Sequence, residues 1–282
     1  MYHYIRITKY VGLLSQKINR EIVLTRAIIS DIDGTLIYRG HSLNKARLPL
    51  MLERLRSRNI AFCLSTGRTL GEVEAIFGDM LRGIYVSSCD GALTTVDGVA
   101  ISEYPVKSYL LEYFFSFAKE RSDTRRYSPS SFGIEFHGIE KSYIFTCSAS
   151  LFHKEKARLK NLVKLDNISE IKEKIYKISV YGKRVEALPD GIRVCYGSGG
   201  IYEYVNSEAS KLRAASALAK SLSAELSDFI AFGDGQNDTA LLKSCGMAFT
   251  TYCAPKDVFT TTDNHTRDVI GTVIRLVDEK RI

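Results

Sequence analysis

Two acidic clusters hold the residues of this sequence best suited to chemistry. The first closes an apolar run, Ile28-Ile29-Ser30-Asp31-Ile32-Asp33-Gly34-Thr35, with two carboxylates one residue apart ahead of a glycine. The second is Phe229-Ile230-Ala231-Phe232-Gly233-Asp234-Gly235-Gln236-Asn237-Asp238, again an apolar run that ends in acids and glycines. Each reads as a buried strand emptying into an acidic turn. Alone, Asp-x-Asp-Gly is equally a good turn or a fragment of a calcium loop. Two such strand ends in one open α/β sheet say more, because ligands collect at the carboxyl ends of the strands. Asp31, Asp33, Asp234 and Asp238 gathered there would repel, with at least one forced neutral, unless a cation lay among them. Oxygen donors of this kind favour Mg²⁺, which typically takes one or two carboxylates and leaves its other positions to water and phosphate.

Two smaller pieces supply complementary donors. Asn59-Ile60-Ala61-Phe62-Cys63-Leu64 reads as a strand ending in Ser65-Thr66-Gly67-Arg68, and Lys211 falls on the first turn of a helix expected to be capped by Asn206 or Ser207. A Ser-Thr-Gly turn by itself is an ordinary helix cap, and a lone helical lysine an ordinary solvated one. Together they offer a hydroxyl, backbone N–H groups and an ammonium, the donors that the oxygens of a phosphoryl group need.

With these four pieces in this order, the chain resembles the haloacid dehalogenase-like phosphohydrolases, in particular the Cof-type branch with a large α/β (type IIB) cap. The resemblance runs from about Arg26 to the C-terminus. It implies an α/β fold, a doubly wound parallel-sheet Rossmann-like core with an inserted α+β cap domain. It also implies that Asp31 is the nucleophile, forming an aspartyl-phosphate, and that Asp33 serves as general acid and then base. Thr66, in preference to Ser65, would hold the transferring oxygens with Gly67, Lys211 and Asn237. Mg²⁺ would be bound by Asp31, Asp234, Asp238 and the backbone carbonyl of Asp33.

The elements that must position these residues follow from periodicity. Leu48, Met51, Leu52 and Leu55 form one helical stripe; Leu212, Ala215, Ala219 and Leu222 form another. Strands followed by helices are what a parallel sheet requires. Ile84 to Ser88 reads as a further strand, and Asp97-Gly98 between two apolar segments as a hairpin turn. After Pro105 a helix from Val106 to about Lys119 leads into alternating segments at 133–136, 142–146, 175–181, 192–196 and 201–205. Alternation predicts an antiparallel sheet with one covered and one open face. The expected division is an N-terminal extension over 1–25, core over 26–105, cap over 106–205 and core again over 206–282. The C-terminal helix, with Val269, Ile270, Val273, Ile274 and Val277, is expected to pack on the sheet.

Composition bounds the rest. The chain has 282 residues, 45% of them hydrophobic and 25% charged, with a formal charge of +7. No apolar run approaches the roughly 20 residues that span a bilayer, so no membrane partner is expected. The positive charge favours anionic ligands. Lys and Arg are spread along the chain, and the densest stretch, Lys154 to Lys164, reads as one solvated helix face, so no nucleic-acid partner is expected either. The six cysteines show no Cys-x-x-Cys spacing and read as reduced thiols of a cytoplasmic protein.

Three departures from the family pattern bear on specificity. Cys89-Asp90-Gly91-Ala92 stands where relatives have Asn-Gly-Ala, which adds an acid near the cap hinge as a turn residue or a substrate contact. Only Lys183 to Gly191 separates two cap strands where relatives often have a helix. Some 25 residues precede the first strand; they carry Arg6, Lys9, Lys17 and Arg20 with no acid before Glu21, which suits a transit peptide, a short extension or an upstream start. The specificity candidates are Asp90, Arg68 and Glu203, with Glu135 and His137 readable equally as strand surface. The sequence points to a phosphatase for small phosphorylated metabolites such as sugar phosphates. A phosphomutase or phosphotransferase, or a non-catalytic relative, is the alternative.

Overall fold

The computed structural model describes residues 25–39, 41–122 and 132–282. The expected N-terminal extension, up to residue 24, lies outside the described residues. The chain opens with β1 (Ala27–Ser30), α1 (Arg47–Arg56), β2 (Ala61–Ser65), α2 (Leu70–Phe77) and β3 (Tyr85–Ser88). The hairpin of β4 (Leu93–Val96) and β5 (Val99–Glu103) follows, turning at Asp97 and Gly98. Both turn residues have positive φ, 47° and 79°, as a type I′ turn demands. Next come α3 (Ser108–Ser122), β6 (Gly133–His137), β7 (Ser142–Phe145), α4 (Ala149–Arg158), β8 (Leu162–Lys164), β9 (Lys177–Tyr181), β10 (Ile192–Ser198) and β11 (Ile201–Asn206). The chain then runs through α5 (Lys211–Ser221), β12 (Phe229–Gly233), α6 (Thr239–Ser244), β13 (Met247–Thr251), α7 (Lys256–Phe259), β14 (His265–Thr266) and α8 (Val269–Asp278).

The strands form two sheets. The larger has the order β14-β13-β12-β1-β2-β3-β4-β5, parallel from β14 through β3 and antiparallel at the β4–β5 hairpin. Strand order reverses between β1 and β12, which places the crevice of a doubly wound sheet at the carboxyl ends of those two strands. Both acidic clusters end there. Apolar clusters cover both faces: Leu48, Met51, Leu52 and Leu55 of α1 pack with α8 on one side, and Ala215, Leu218 and Ala219 of α5 pack on the other. The α5 stripe is rotated from the expected one, with Ala214 and Leu218 buried and Leu212 and Leu222 only half-buried. The cap of that helix is Ser210, whose Oγ accepts from the Arg213 N–H at 3.1 Å. Asn206 instead ends β11 and accepts from the Glu208 N–H, so the helix starts later than expected.

The smaller sheet, β10-β11-β9-β6-β7-β8, is antiparallel apart from the β7–β8 pair. Leu110, Phe114 and Ala118 of α3 cover one face, meeting Ile134, Phe136, Ile178 and Val180. The open face that alternation predicts turns toward the core, where every residue of β6 and β9 is buried, including Glu135, His137, Lys177 and Ser179. It is a polar face closed against the core. The basic stretch at 154–164 is likewise not one helix face. The helix stops at Arg158, Leu159 and Leu162 are buried, and β8 adds an edge strand to β7. No helix intervenes in the 182–191 connection, in line with the short spacing there. Among the described residues no helix is long and apolar enough to cross a membrane.

Candidate active site

Asp31 follows β1 directly, its N–H bonded to the Phe232 carbonyl of β12 at 2.9 Å, so the two acidic turns are joined by main-chain pairing. Carboxylate oxygens of Asp31, Asp234 and Asp238 lie within 4.8 Å of one another. Lys211 Nζ donates to Asp31 Oδ1 and Asp238 Oδ1, each at 2.7 Å, with the lysine and Asp238 almost wholly buried. Asp234 accepts from the Thr35 hydroxyl at 2.7 Å, and Asp238 from the Gly235 N–H at 2.9 Å. Burial pushes the Asp31 carboxyl up to about 7 against the pull of Lys211, with the Asp238 and Asp234 charges adding to the rise. Burial raises Asp234 as well. Burial alone would lower the Lys211 ammonium, yet Asp238 and Asp31 hold it above its ordinary range. Three carboxylates facing one cation leave surplus negative charge, and an all-oxygen donor set fits a hard divalent ion. The turn glycines make room: a Cβ on Gly34, at φ +86°, would lie 2.2 Å from Asp234 Oδ2.

Asp33 points elsewhere. Its carboxylate takes a bidentate pair from Arg68, Nε to Oδ2 and Nη2 to Oδ1, both 2.7 Å, and it is not one of the clustered carboxylates. Only its backbone carbonyl was expected to reach a metal. Thr66 is buried, and its Oγ1 accepts from the Arg68 N–H at 3.1 Å. The neighbouring Ser65 hydroxyl is buried without a hydrogen-bond partner among the described residues. Asn237 donates through Nδ2 to Asp90 Oδ1 at 2.8 Å, and Asp90 Oδ2 also accepts from Arg193 Nη2 at 2.5 Å. Asp90 is buried at φ +57°, so it both shapes the turn and ties the small sheet to the core.

A chamber of about 540 Å³ opens over the cluster, walled by Asp31, Thr66 and Asp234 from the core and by Arg158, Lys177 and Glu203 from the cap. Lys177 Nζ reaches the Gly67 carbonyl at 3.1 Å and Glu203 Oε1 at 2.8 Å. Arg158 spans the two domains, meeting Glu72 of α2 at 2.6 Å and Glu135 of β6 at 2.9 Å. Burial would raise Glu72, but Lys177 and Arg158 outweigh it and hold that carboxyl down at about 2. Glu135 is the reverse case: burial prevails over Arg158 and pushes it up to about 7. His137 is held well below its usual range by burial and by Lys177, and its ring nitrogens meet Ser142 and Ser179 hydroxyls at 3.0 and 2.9 Å. Glu135 and His137 therefore belong to the interior of the closed cap and not to strand surface. Sequence reasoning passed over Lys177, Arg158 and Glu72. The available signal was Lys177 itself, a charge in register with Ser179 on a strand otherwise filled by Ile178, Val180 and Tyr181.

The fold and site define a capped α/β hydrolase, and comparison with known proteins gives the family. A haloacid dehalogenase-like hydrolase family model matches residues 28–269. A putative phosphatase of Haemophilus influenzae is 26% identical over 246 residues, covering 82% of this chain and 85% of that protein. HMP-PP phosphatase of Shigella boydii is 23% identical over 237 residues, covering 80% and 87%. Among solved structures, the subclass IIB sugar phosphatase BT4131 superposes with a TM-score of 0.67 at 15% identity, over 92% of this chain and all of that one. The chain belongs to the haloacid dehalogenase-like hydrolases, of the Cof type with a large α/β cap.

Proposed function

We propose that this enzyme hydrolyses phosphate monoesters of small metabolites, sugar phosphates or similar, through an aspartyl-phosphate and with Mg²⁺. The observation that carries the reading is the junction of Asp31, Asp234 and Asp238 around Lys211 at the switch point of the sheet. The names of the relatives, which include an HMP-PP phosphatase and a sugar phosphatase, support a small phosphorylated substrate. The six free cysteines suit a reducing, cytoplasmic setting. The cap is assigned to residues 106–205 and the core to 26–105 and 206–282.

Asp31 attacks phosphorus in line; a bond forms from its carboxylate oxygen as the bond to the leaving oxygen breaks. Asp33, kept off the carboxylate cluster by Arg68, gives a proton to that leaving oxygen and later takes one from the water that hydrolyses the aspartyl-phosphate. Thr66, the Gly67 backbone and Lys211 hold the phosphoryl oxygens, with Asn237 fixed beside them by Asp90. Asp31, Asp234, Asp238 and the Asp33 carbonyl would hold Mg²⁺, which when bound would supply neutralising charge for the phosphoryl group. Arg68 and Glu203, which line the chamber, are the residues assigned to substrate choice; Asp90, buried with its oxygens on Asn237 and Arg193, is instead a turn and tie residue.

The test is phosphate release from sugar phosphates, nucleotides, flavin mononucleotide and an aryl phosphate, with Mg²⁺ or EDTA. The expected result is Mg²⁺-dependent turnover that Asp31→Asn abolishes. No release from any ester, or turnover that survives the substitution, overturns the reading.

A further inference from the structure

The Gly67–Arg68 peptide is gripped at both ends. Its carbonyl accepts from Lys177 Nζ of the cap at 3.1 Å, and its N–H donates to Thr66 Oγ1 at 3.1 Å. A Cβ built on Gly67 would meet nothing within 4 Å, while the neighbouring carbonyls are pinned to the core, Thr66 by the Asp90 N–H at 2.9 Å and Arg68 by the Cys89 N–H at 2.8 Å. The peptide's own two hydrogen bonds tie it to the cap on one side and to the Thr66 hydroxyl on the other. The lysine is itself fixed. It is buried on β9, with Glu203 of β11 at 2.8 Å, so two of its three N–H groups are taken by the loop carbonyl and that carboxylate.

We infer that Lys177 is a positioning residue that acts from the cap, through the Gly67–Arg68 peptide, on the hydroxyl of Thr66. A hydroxyl that accepts one hydrogen bond keeps its own proton to donate. With the Arg68 N–H on its oxygen, Thr66 directs that proton toward a phosphoryl oxygen, the role given to it under the proposed phosphatase reading, on which this inference rests. The ammonium polarises the peptide, which strengthens the N–H as a donor and in turn the hydroxyl. Lys177 stands on the cap and Gly67 on the core, so this contact joins the two.

The experiment compares Lys177→Met, Lys177→Arg, Thr66→Ala and the Lys177→Met/Thr66→Ala pair. Each is assayed with a small aryl phosphate and with the best ester of the panel. Lys177→Met is expected to lower kcat roughly 10- to 100-fold on both esters with KM nearly unchanged, the size of one lost orienting contact. Lys177→Arg restores most of it. In the Thr66→Ala background the lysine substitution adds less than about twofold, because its effect travels through that hydroxyl. Removing both charges in Lys177→Met/Glu203→Met guards against a folding defect, read as a thermal unfolding midpoint closer to the wild type than that of Lys177→Met.

Amide NMR supplies a readout independent of turnover. The Arg68 N–H resonance is expected to shift in Lys177→Met and to return toward the wild-type position in Lys177→Arg. An unmoved Arg68 amide overturns the inference. So do multiplicative losses in the pair, or a raised KM confined to the larger ester, which would make Lys177 a leaving-group contact. Failure of the wild type on every ester would instead strike the phosphatase reading, with the Arg68 amide still deciding the lysine's hold on the loop.

Discussion

At the scale of single residues the site is a problem of crowded negative charge. Asp31, Asp234 and Asp238 face one ammonium, and Lys211 is shared between two of them. Removing one partner of a buried ion pair strands the others. Lys211→Met is therefore expected to cost roughly 3–5 kcal/mol of stability without metal, in line with other broken buried pairs. Saturating Mg²⁺ should return part of that loss, because a cation bound to the native state stabilises it by mass action. Urea unfolding with Mg²⁺ and with EDTA measures both, and equal losses in the two conditions would show that no cation enters the cluster. Gly34 is the second pressure point. Its φ of +86° and the 2.2 Å approach of any Cβ to Asp234 Oδ2 leave no room for alanine. Gly34→Ala should lower stability by roughly 1–3 kcal/mol through backbone strain. Displacement of Asp234 should also weaken Mg²⁺ binding by about tenfold or more, read by calorimetry. Unchanged Mg²⁺ affinity would mean that Asp234 does not hold the ion.

At the scale of elements, the lysine is only as well placed as the helix that begins with it. Ser210 caps α5 through the Arg213 N–H, and Lys211 is its first residue. Ser210→Ala should cost about 1 kcal/mol, the usual value of an N-cap. If α5 frays there, kcat should fall while Lys220→Ala, an exposed change near the other end of the same helix, leaves it alone. Equal effects of the two substitutions on kcat would remove the cap from the account. This element also marks what sequence can convey. The stripe Leu48, Met51, Leu52, Leu55 and the Asp97-Gly98 turn were readable because local periodicity and turn chemistry decide them. The start of α5 was misplaced because Asn206, Ser207 and Ser210 are all competent caps, and packing of Ala214 and Leu218 selects among them. The strand β8 was hidden in a basic run because three residues at a sheet edge carry almost no pattern, and Leu162 alone anchors it. In the site, Asp31, Asp33, Asp234 and Asp238 stood out because each turn is a compact local signature. Lys177 did not, since its partner Gly67 lies 110 residues away.

At the scale of the whole molecule, the buried polar layer between cap and core makes folding depend on pH. Glu135 is fully buried on β6; one of its oxygens meets Arg158 and Tyr181, and the other has no partner among the described residues. Burial raises its carboxyl from 4.5 to about 7, so the folded protein keeps a proton there that the unfolded chain releases. A raised carboxyl contributes its stability fully below the unfolded value and loses it as pH climbs through the folded one. That contribution should therefore be intact near pH 4.5 and gone above pH 7, a difference on the order of a few kcal/mol from the size of the shift. Other groups titrate in the same window, Asp31 among them, so the wild-type profile alone cannot isolate it. Glu135→Gln can. Glutamine keeps the shape of the protonated acid without a proton to lose, so the variant should match the wild type near pH 5 and exceed it in unfolding free energy at pH 8. A stability difference that stays constant with pH would mean that Glu135 is ionised throughout and that Arg158 binds it as a conventional salt bridge. The expected rise would mean instead that the cap closes with a neutral acid in its interior, leaving Arg158 to spend its charge on Glu72 of the core.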